Sequence, residues 1–132
     1  MIIRKNALLC LILLPLLLTS IALAADITPY ADIEFSRATA SLTTYKSVSF
    51  SCITHQPKEK IAITECWLER KINNEWYWLS SLDSPSTVAE NTALYTAVMD
   101  YSADIGSGTY RIGFIVDADG YSITRYSNER TF

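Results

Sequence analysis

From Asp26 to the end of the chain, runs of β-branched and aromatic residues are punctuated by turn residues at intervals of about ten, and no window carries the 3.6-residue apolar period of an amphipathic helix. That rhythm restricts the chain to antiparallel β structure. A parallel α/β fold needs long helical crossovers, and no connection here is long enough and helical enough to make one. Seven strands are expected, over 33–45, 47–54, 61–72, 75–82, 93–102, 109–116 and 121–126. Alternation is clearest in the second, where Val48, Phe50 and Cys52 share one face, and in the sixth, where Tyr110, Ile112, Phe114 and Val116 do. Asn73-Asn74 and the Asp-Gly step in Asp117-Ala118-Asp119-Gly120 are expected hairpin turns, because both positions of such a turn need left-handed backbone. Strand edges are best protected by packing two sheets together or by closing a barrel. The expectation is an all-β, two-layer antiparallel sandwich of about seven strands.

The first 25 residues are of another kind. Arg4 and Lys5 precede an apolar run over 7–18, and Ala22-Leu23-Ala24 forms a small-residue site ahead of Ala25. This three-part layout is that of a secretory signal peptide, a helical segment over 1–24 removed by cleavage between Ala24 and Ala25. Its rival is a retained anchor, since 7–25 without a charge could nearly cross a bilayer, which takes about 20 apolar residues. Pro15 and the Ala-x-Ala site favour cleavage. Residues 25–132 then form a single domain, exported to the cell exterior or envelope, and contact with the membrane is confined to the signal peptide.

Composition enters through charge and cysteine. Of the three cysteines, Cys10 leaves with the signal, and Cys52 and Cys66 remain in an exported chain, where oxidising surroundings make a disulfide the expected state. Loss of Arg4 and Lys5 takes the net charge from −3 to −5. The remaining basic residues are scattered, the densest groups being Lys58/Lys60 and Arg70/Lys71, so nucleic-acid binding, which rests on phosphate neutralisation, is not expected.

Gly108-Thr109-Tyr110-Arg111-Ile112 resembles the start of strand F in immunoglobulin-like and fibronectin type III domains, where a corner Tyr bonds back to upstream backbone. The resemblance implies an immunoglobulin-like arrangement of the sandwich. The chain departs from that pattern at Gly106, where many such domains carry Asp, and at Ile112, where antibody domains have their second Cys. Over most of residues 25–132, the order Cys52, Ile61-x-Ile63, Leu68-Glu69-Arg70-Lys71, Asn74-Glu75-Trp76, Gly108-Thr109-Tyr110-Arg111-Ile112 and the Gly120 hairpin is similar to small secreted β-sandwich proteins of unknown function from Gram-positive bacteria. That likeness implies fold and location and carries no activity.

Catalytic chemistry finds little footing. His55, in Thr54-His55-Gln56-Pro57, is the one histidine and is expected to sit in a turn; no Gly-x-Ser-x-Gly elbow is present. Glu65 and Glu69 share a strand face about 13 Å apart, beyond the separation of glycosidase carboxylates, and are expected to pair with Lys or Arg across the sheet. Asp117-Ala118-Asp119-Gly120 holds a fragment of a calcium loop but lacks its third oxygen position and its later Glu. No cofactor and no metal are expected, and the chain is read as a non-enzyme.

Trp76-Tyr77-Trp78 is the most informative feature. Alternation sends Trp76 and Trp78 to one face and Tyr77 and Leu79 to the other. Either the two indoles lie exposed as an interaction surface, or they form core opposite Trp67. Tyr121 and Tyr126 carry a weaker form of the same ambiguity. The leading expectation is a secreted binding module for a cell-envelope glycan or protein, with Trp76, Trp78, Tyr121 and Tyr126 as its candidate surface. The alternative is a small secreted antagonistic, bacteriocin-like protein.

Overall fold

The computed structural model describes residues 32–43, 46–101 and 105–132. The chain divides into two units, Met1–Tyr30 and Ala31–Phe132, and every described residue belongs to the second. The expected signal segment and its Ala24–Ala25 junction lie outside the described residues.

The strands are β1 (Phe35–Leu42), β2 (Ser47–Ile72), β3 (Glu75–Leu82), β4 (Val88–Asp100), β5 (Thr109–Ala118), β6 (Tyr121–Tyr126) and β7 (Arg130–Thr131). All pair antiparallel in one sheet of order β1-β2-β5-β6, with β3 and β4 bonded to β2 and β7 bonded to β5. The sheet curls, so that β1 comes against β5 and β6 without a ladder to either.

Among the described residues the count of seven matches expectation for a reason the sequence does not carry. The strands expected at 47–54 and 61–72 are one continuous strand, β4 begins earlier than expected, and the short β7 adds another. Thr54, His55, Gln56 and Pro57 make a bulge where a turn was expected. Along β2 and β4 the register passes from Ile53 opposite Leu94 to Lys58 opposite Thr92, so five steps of β2 are matched by two of β4. Pro57, with no N–H to give a ladder, falls inside this irregularity, as strand prolines do. The His55 amide donates to the Glu34 carbonyl at 2.9 Å, and the Thr54 hydroxyl donates to the Gln56 carbonyl at 2.6 Å, satisfying groups the bulge takes out of the ladder.

A second bulge follows. Ile63 pairs with Val116 and Glu65 with Ile115, which leaves Thr64 extra. Each irregularity flips the inward parity of β2. Val48, Phe50, Cys52 and Thr54 are buried at even positions, Ile61 and Ile63 at odd ones, and Cys66 and Leu68 at even ones again. Strict alternation over 61–72 would put Ile63 on the face away from Cys66; the extra Thr64 brings both into the core.

The core gathers these residues with Phe35, Tyr95, Tyr110, Ile112, Phe114 and Val116, and the Phe50 and Phe114 rings meet edge-on at 5.2 Å. Each large side chain so buried contributes about 1.5–3 kcal/mol. Inward alternation of β5 runs as expected from Tyr110 to Val116. The Tyr110 hydroxyl donates to the Gly106 carbonyl at 2.8 Å, the back-bond that a corner tyrosine makes.

Both expected hairpin turns form. Asn73 and Asn74 have φ of 52° and 64°, Asp119 and Gly120 of 50° and 88°, the paired left-handed backbone of the two-residue turn that suits strand twist. The Asp119 carboxylate accepts from the amides of Glu59 (3.1 Å) and Lys60 (2.9 Å), pinning the β5–β6 hairpin to the middle of β2. The Asp117 carboxylate accepts from the Gly120 amide at 3.0 Å and the Ser122 hydroxyl at 2.7 Å. The carboxylates of this turn thus serve hydrogen bonds of the fold.

The disulfide expected between Cys52 and Cys66 is not formed; both are free, buried thiols. The expectation rested on oxidising surroundings and took no account of the path of the chain between them. They sit on opposite halves of the uninterrupted β2, and each faces the core near Tyr95. Burial pushes the Cys52 thiol up to about 12, eased by the Thr39 backbone, and the Cys66 thiol up to about 11, eased by the Ser84 hydroxyl.

Candidate interaction surface

Among the described residues β3 is an edge strand bonded only to β2, and its register sets what stands beside each tryptophan. Trp76 lies opposite Lys71 and Trp78 opposite Glu69; on the far side of β2, Glu69 lies opposite Arg111, and Trp67 opposite Gly113, which in turn faces Tyr126 on β6. Successive strands thus bring Trp76, Trp78, Trp67, Glu69, Arg111 and Tyr126 to one outward face of the sheet.

Glu69 is its electrostatic centre. Its side chain is 9% exposed, and Arg111 reaches one carboxylate oxygen with Nη2 at 3.0 Å and Nε at 3.3 Å, while the Trp67 indole N–H donates to the other at 2.8 Å. The Arg111 guanidinium carbon also lies 4.3 Å from the Trp76 ring centre and 4.0 Å from that of Tyr126. Cation–π contacts of this kind are worth about 0.5–2 kcal/mol each, more as water is excluded. Tyr126 meets the Trp67 ring edge-on at 6.2 Å, and the Lys71 ammonium lies 5.5 Å from the centre of Trp76. The face is therefore a lattice of rings packed around one ion pair, each side chain held by its neighbours.

Neither arrangement posed for Trp76-Tyr77-Trp78 describes the strand as a whole, since neither face of β3 supplies core here. Trp78 is 62% exposed, Tyr77 and Leu79 are nearly half exposed, and Trp76 is half-buried under Arg111 and Lys71. Both faces of β3 meet solvent partly because Leu79 is itself a bulge, with Leu68 opposite Ser80 and Glu69 opposite Trp78. Trp67, the third tryptophan, belongs to this outward face and not to a core opposed to it.

Of the expected surface residues, Trp76, Trp78 and Tyr126 come together, and Tyr121 stands apart. Its ring lies 6.4 Å from Phe35 and its hydroxyl donates to the Asp32 carboxylate at 3.0 Å, which raises the Tyr121 hydroxyl and helps hold the Asp32 carboxyl below its ordinary value. Tyr121 and Tyr126 are an odd number of positions apart on β6, so alternation sends them to opposite faces. His55 lies at the β2 bulge, where its Nε2 is 2.9 Å from the Asp32 carbonyl. The residues that sequence reasoning missed are Trp67 and Arg111; the signal for Arg111 was the expectation that Glu69 pairs with a cation across the sheet.

Beside this face is a cavity of about 320 Å³ lined by Trp67 and Trp78 together with Thr64, Glu65, Ser81 and Ser84. Among the described residues, no group of three His, Cys, Asp or Glu side chains is placed to hold a metal ion. No protein-family model and no curated protein matches the chain.

Proposed function

We propose that this chain is an exported binding module without catalytic activity, which engages a cell-envelope glycan or protein through the outward face of β3, β2, β5 and β6. The observation that carries this reading is Trp78, a large apolar side chain 62% exposed on an edge strand, beside rings already immobilised around Arg111. Clustered exposed aromatics mark interaction surfaces, and binding to a preordered face costs less conformational entropy.

The same proposal takes residues 1–24 as a cleaved signal and the remainder as a two-layer, immunoglobulin-like sandwich of the secreted kind. The Tyr110 back-bond to Gly106 and the curl of the sheet support that architecture.

The test is cosedimentation with isolated bacterial envelopes, comparing wild type with Trp78→Ala. Replacement of so exposed a residue leaves the circular dichroism spectrum unchanged. Saturable binding by wild type and its loss in the folded variant support the module; equal sedimentation of the two, or none by either, overturns it.

A further inference from the structure

The cavity beside Trp67 and Trp78 lies where β2 changes neighbours. Ala62 is the last residue of β2 opposite β4 and Cys66 the first opposite β3, so among the described residues no strand lies beside this edge of β2 over 63–65. The chain linking β3 to β4 passes the gap and brings Ser84 to its rim. The result is a notch with indoles from two different strands and hydroxyl groups from three segments: Thr64 on β2, Ser81 on β3 and Ser84 in the connection.

We infer that this notch binds an uncharged oligosaccharide, one sugar ring against Trp67 and Trp78 and the next toward Asp83 and Tyr101. The inference rests on the binding-module reading above and names its ligand class. Three observations carry it. First, the mixture of walls matches a pyranose, whose C–H faces cover an aromatic ring while its rim of hydroxyl groups requires donors and acceptors; Glu65, Ser81 and Ser84 supply them. Second, a neighbouring cavity of about 260 Å³ is lined by the same Ser81 and Leu82 together with Asp83, Asp100 and Tyr101, which leaves room beside the first for a further ring. Third, the described residues lining both cavities include the carboxylates Glu65, Asp83 and Asp100 and no Lys, Arg or His, which disfavours phosphate-bearing or uronic-acid polymers. Cys66 also borders the notch, but it is 4% exposed and belongs to the core, so it offers a wall and not a nucleophile.

The experiment titrates the full chain, held in a mild zwitterionic detergent, with the trisaccharides of N-acetylglucosamine and of β-1,4-glucose and with trigalacturonate, following tryptophan fluorescence. Saturable change with at least one neutral trisaccharide, at a Kd below about 1 mM, is expected, with none for trigalacturonate. Trp78→Ala weakens that binding by at least about tenfold and the Glu65→Gln/Ser84→Ala pair by about threefold or more, while Val98→Ala, on the exposed face of β4, leaves it unchanged. Absence of saturation by both neutral sugars up to about 10 mM, equal binding of trigalacturonate, or indifference to Trp78→Ala overturns the inference. A synthetic peptide spanning Glu75–Leu82 is titrated in parallel. Binding of that peptide in place of the sugars makes the notch a strand-addition site and likewise overturns the inference. If sugars fail while Trp78→Ala still abolishes envelope binding, the module reading stands and its glycan notch falls; if both fail, both fall.

Discussion

A Cβ built on Gly113 would lie 2.2 Å from Cε2 of Trp67, so the indole rests directly on bare backbone of the neighbouring strand. Gly113 is opposite Trp67 on one side and Tyr126 on the other, and it is the absence of a side chain there that lets the two rings meet.

Gly113→Ala is therefore expected to evict the Trp67 indole from its seat, lengthen its bond to Glu69 and destabilise the domain by about 1–3 kcal/mol. Urea unfolding gives the cost, and near-ultraviolet circular dichroism reports the displaced ring. An unaltered midpoint together with an unaltered spectrum would show that the indole has room the structure denies it.

Removing one member of the Glu69–Arg111 pair leaves the other charge largely out of water without its counterpart. Glu69→Ala is expected to cost about 3 kcal/mol, because it also orphans the Trp67 N–H, and Glu69→Leu combined with Arg111→Met is expected to cost less than the two single changes summed. A double-mutant cycle in urea measures the coupling. Strictly additive costs would mean that the pair is solvated well enough to contribute nothing of its own.

Cys52 and Cys66 are raised by burial to about 12 and about 11, so across alkaline pH the folded chain keeps protons that the unfolded chain releases. Stability from this source is complete below the ordinary thiol range near 9. It falls as pH rises from there toward 11 and 12, at about 1.4 kcal/mol per pH unit for each thiol in its window. Tyr95, raised to about 12 chiefly by burial, steepens the upper part of the fall. Urea midpoints measured from pH 7 to 11 check the slope, and Cys52→Ala should flatten it. In the same samples, mass spectrometry after maleimide treatment at pH 8 should find Cys52 and Cys66 unlabelled in the folded chain and labelled in urea.

What the sequence made legible was local. Asn73-Asn74 and Asp119-Gly120 specify their turns through the backbone of two residues, and the Tyr110 corner closes over four, so each could be read from a short window. The bulges could not. Thr54-His55-Gln56-Pro57 has the composition of a turn, and only the ladders to β4 and the bond from His55 to Glu34 make it part of a strand. Strict alternation then placed Ile63 on the wrong face, because nothing in the residue string marks Thr64 as extra. The candidate surface was half legible for the same reason. Trp76 and Trp78 share a face by alternation, but their exposure depends on β3 being an edge strand, and Trp67 and Arg111 join them through registers set by residues far away in sequence.

β2 runs unbroken from Ser47 to Ile72 and hydrogen-bonds to β1, β3, β4 and β5, four of the six other strands. No neighbour of β2 can complete its ladder until this one segment is laid down, and two of those partners, β4 and β5, come from distant parts of the chain. Sheets built on such non-local pairings form slowly and are exposed to misassembly before they close. The same sharing makes the finished domain resistant to piecemeal loss. Ladder amides of β2 outside the 54–57 bulge and the open 63–65 edge should exchange with solvent only when the whole molecule opens, whereas those at the outer edges of β3 and β4 exchange by local fraying.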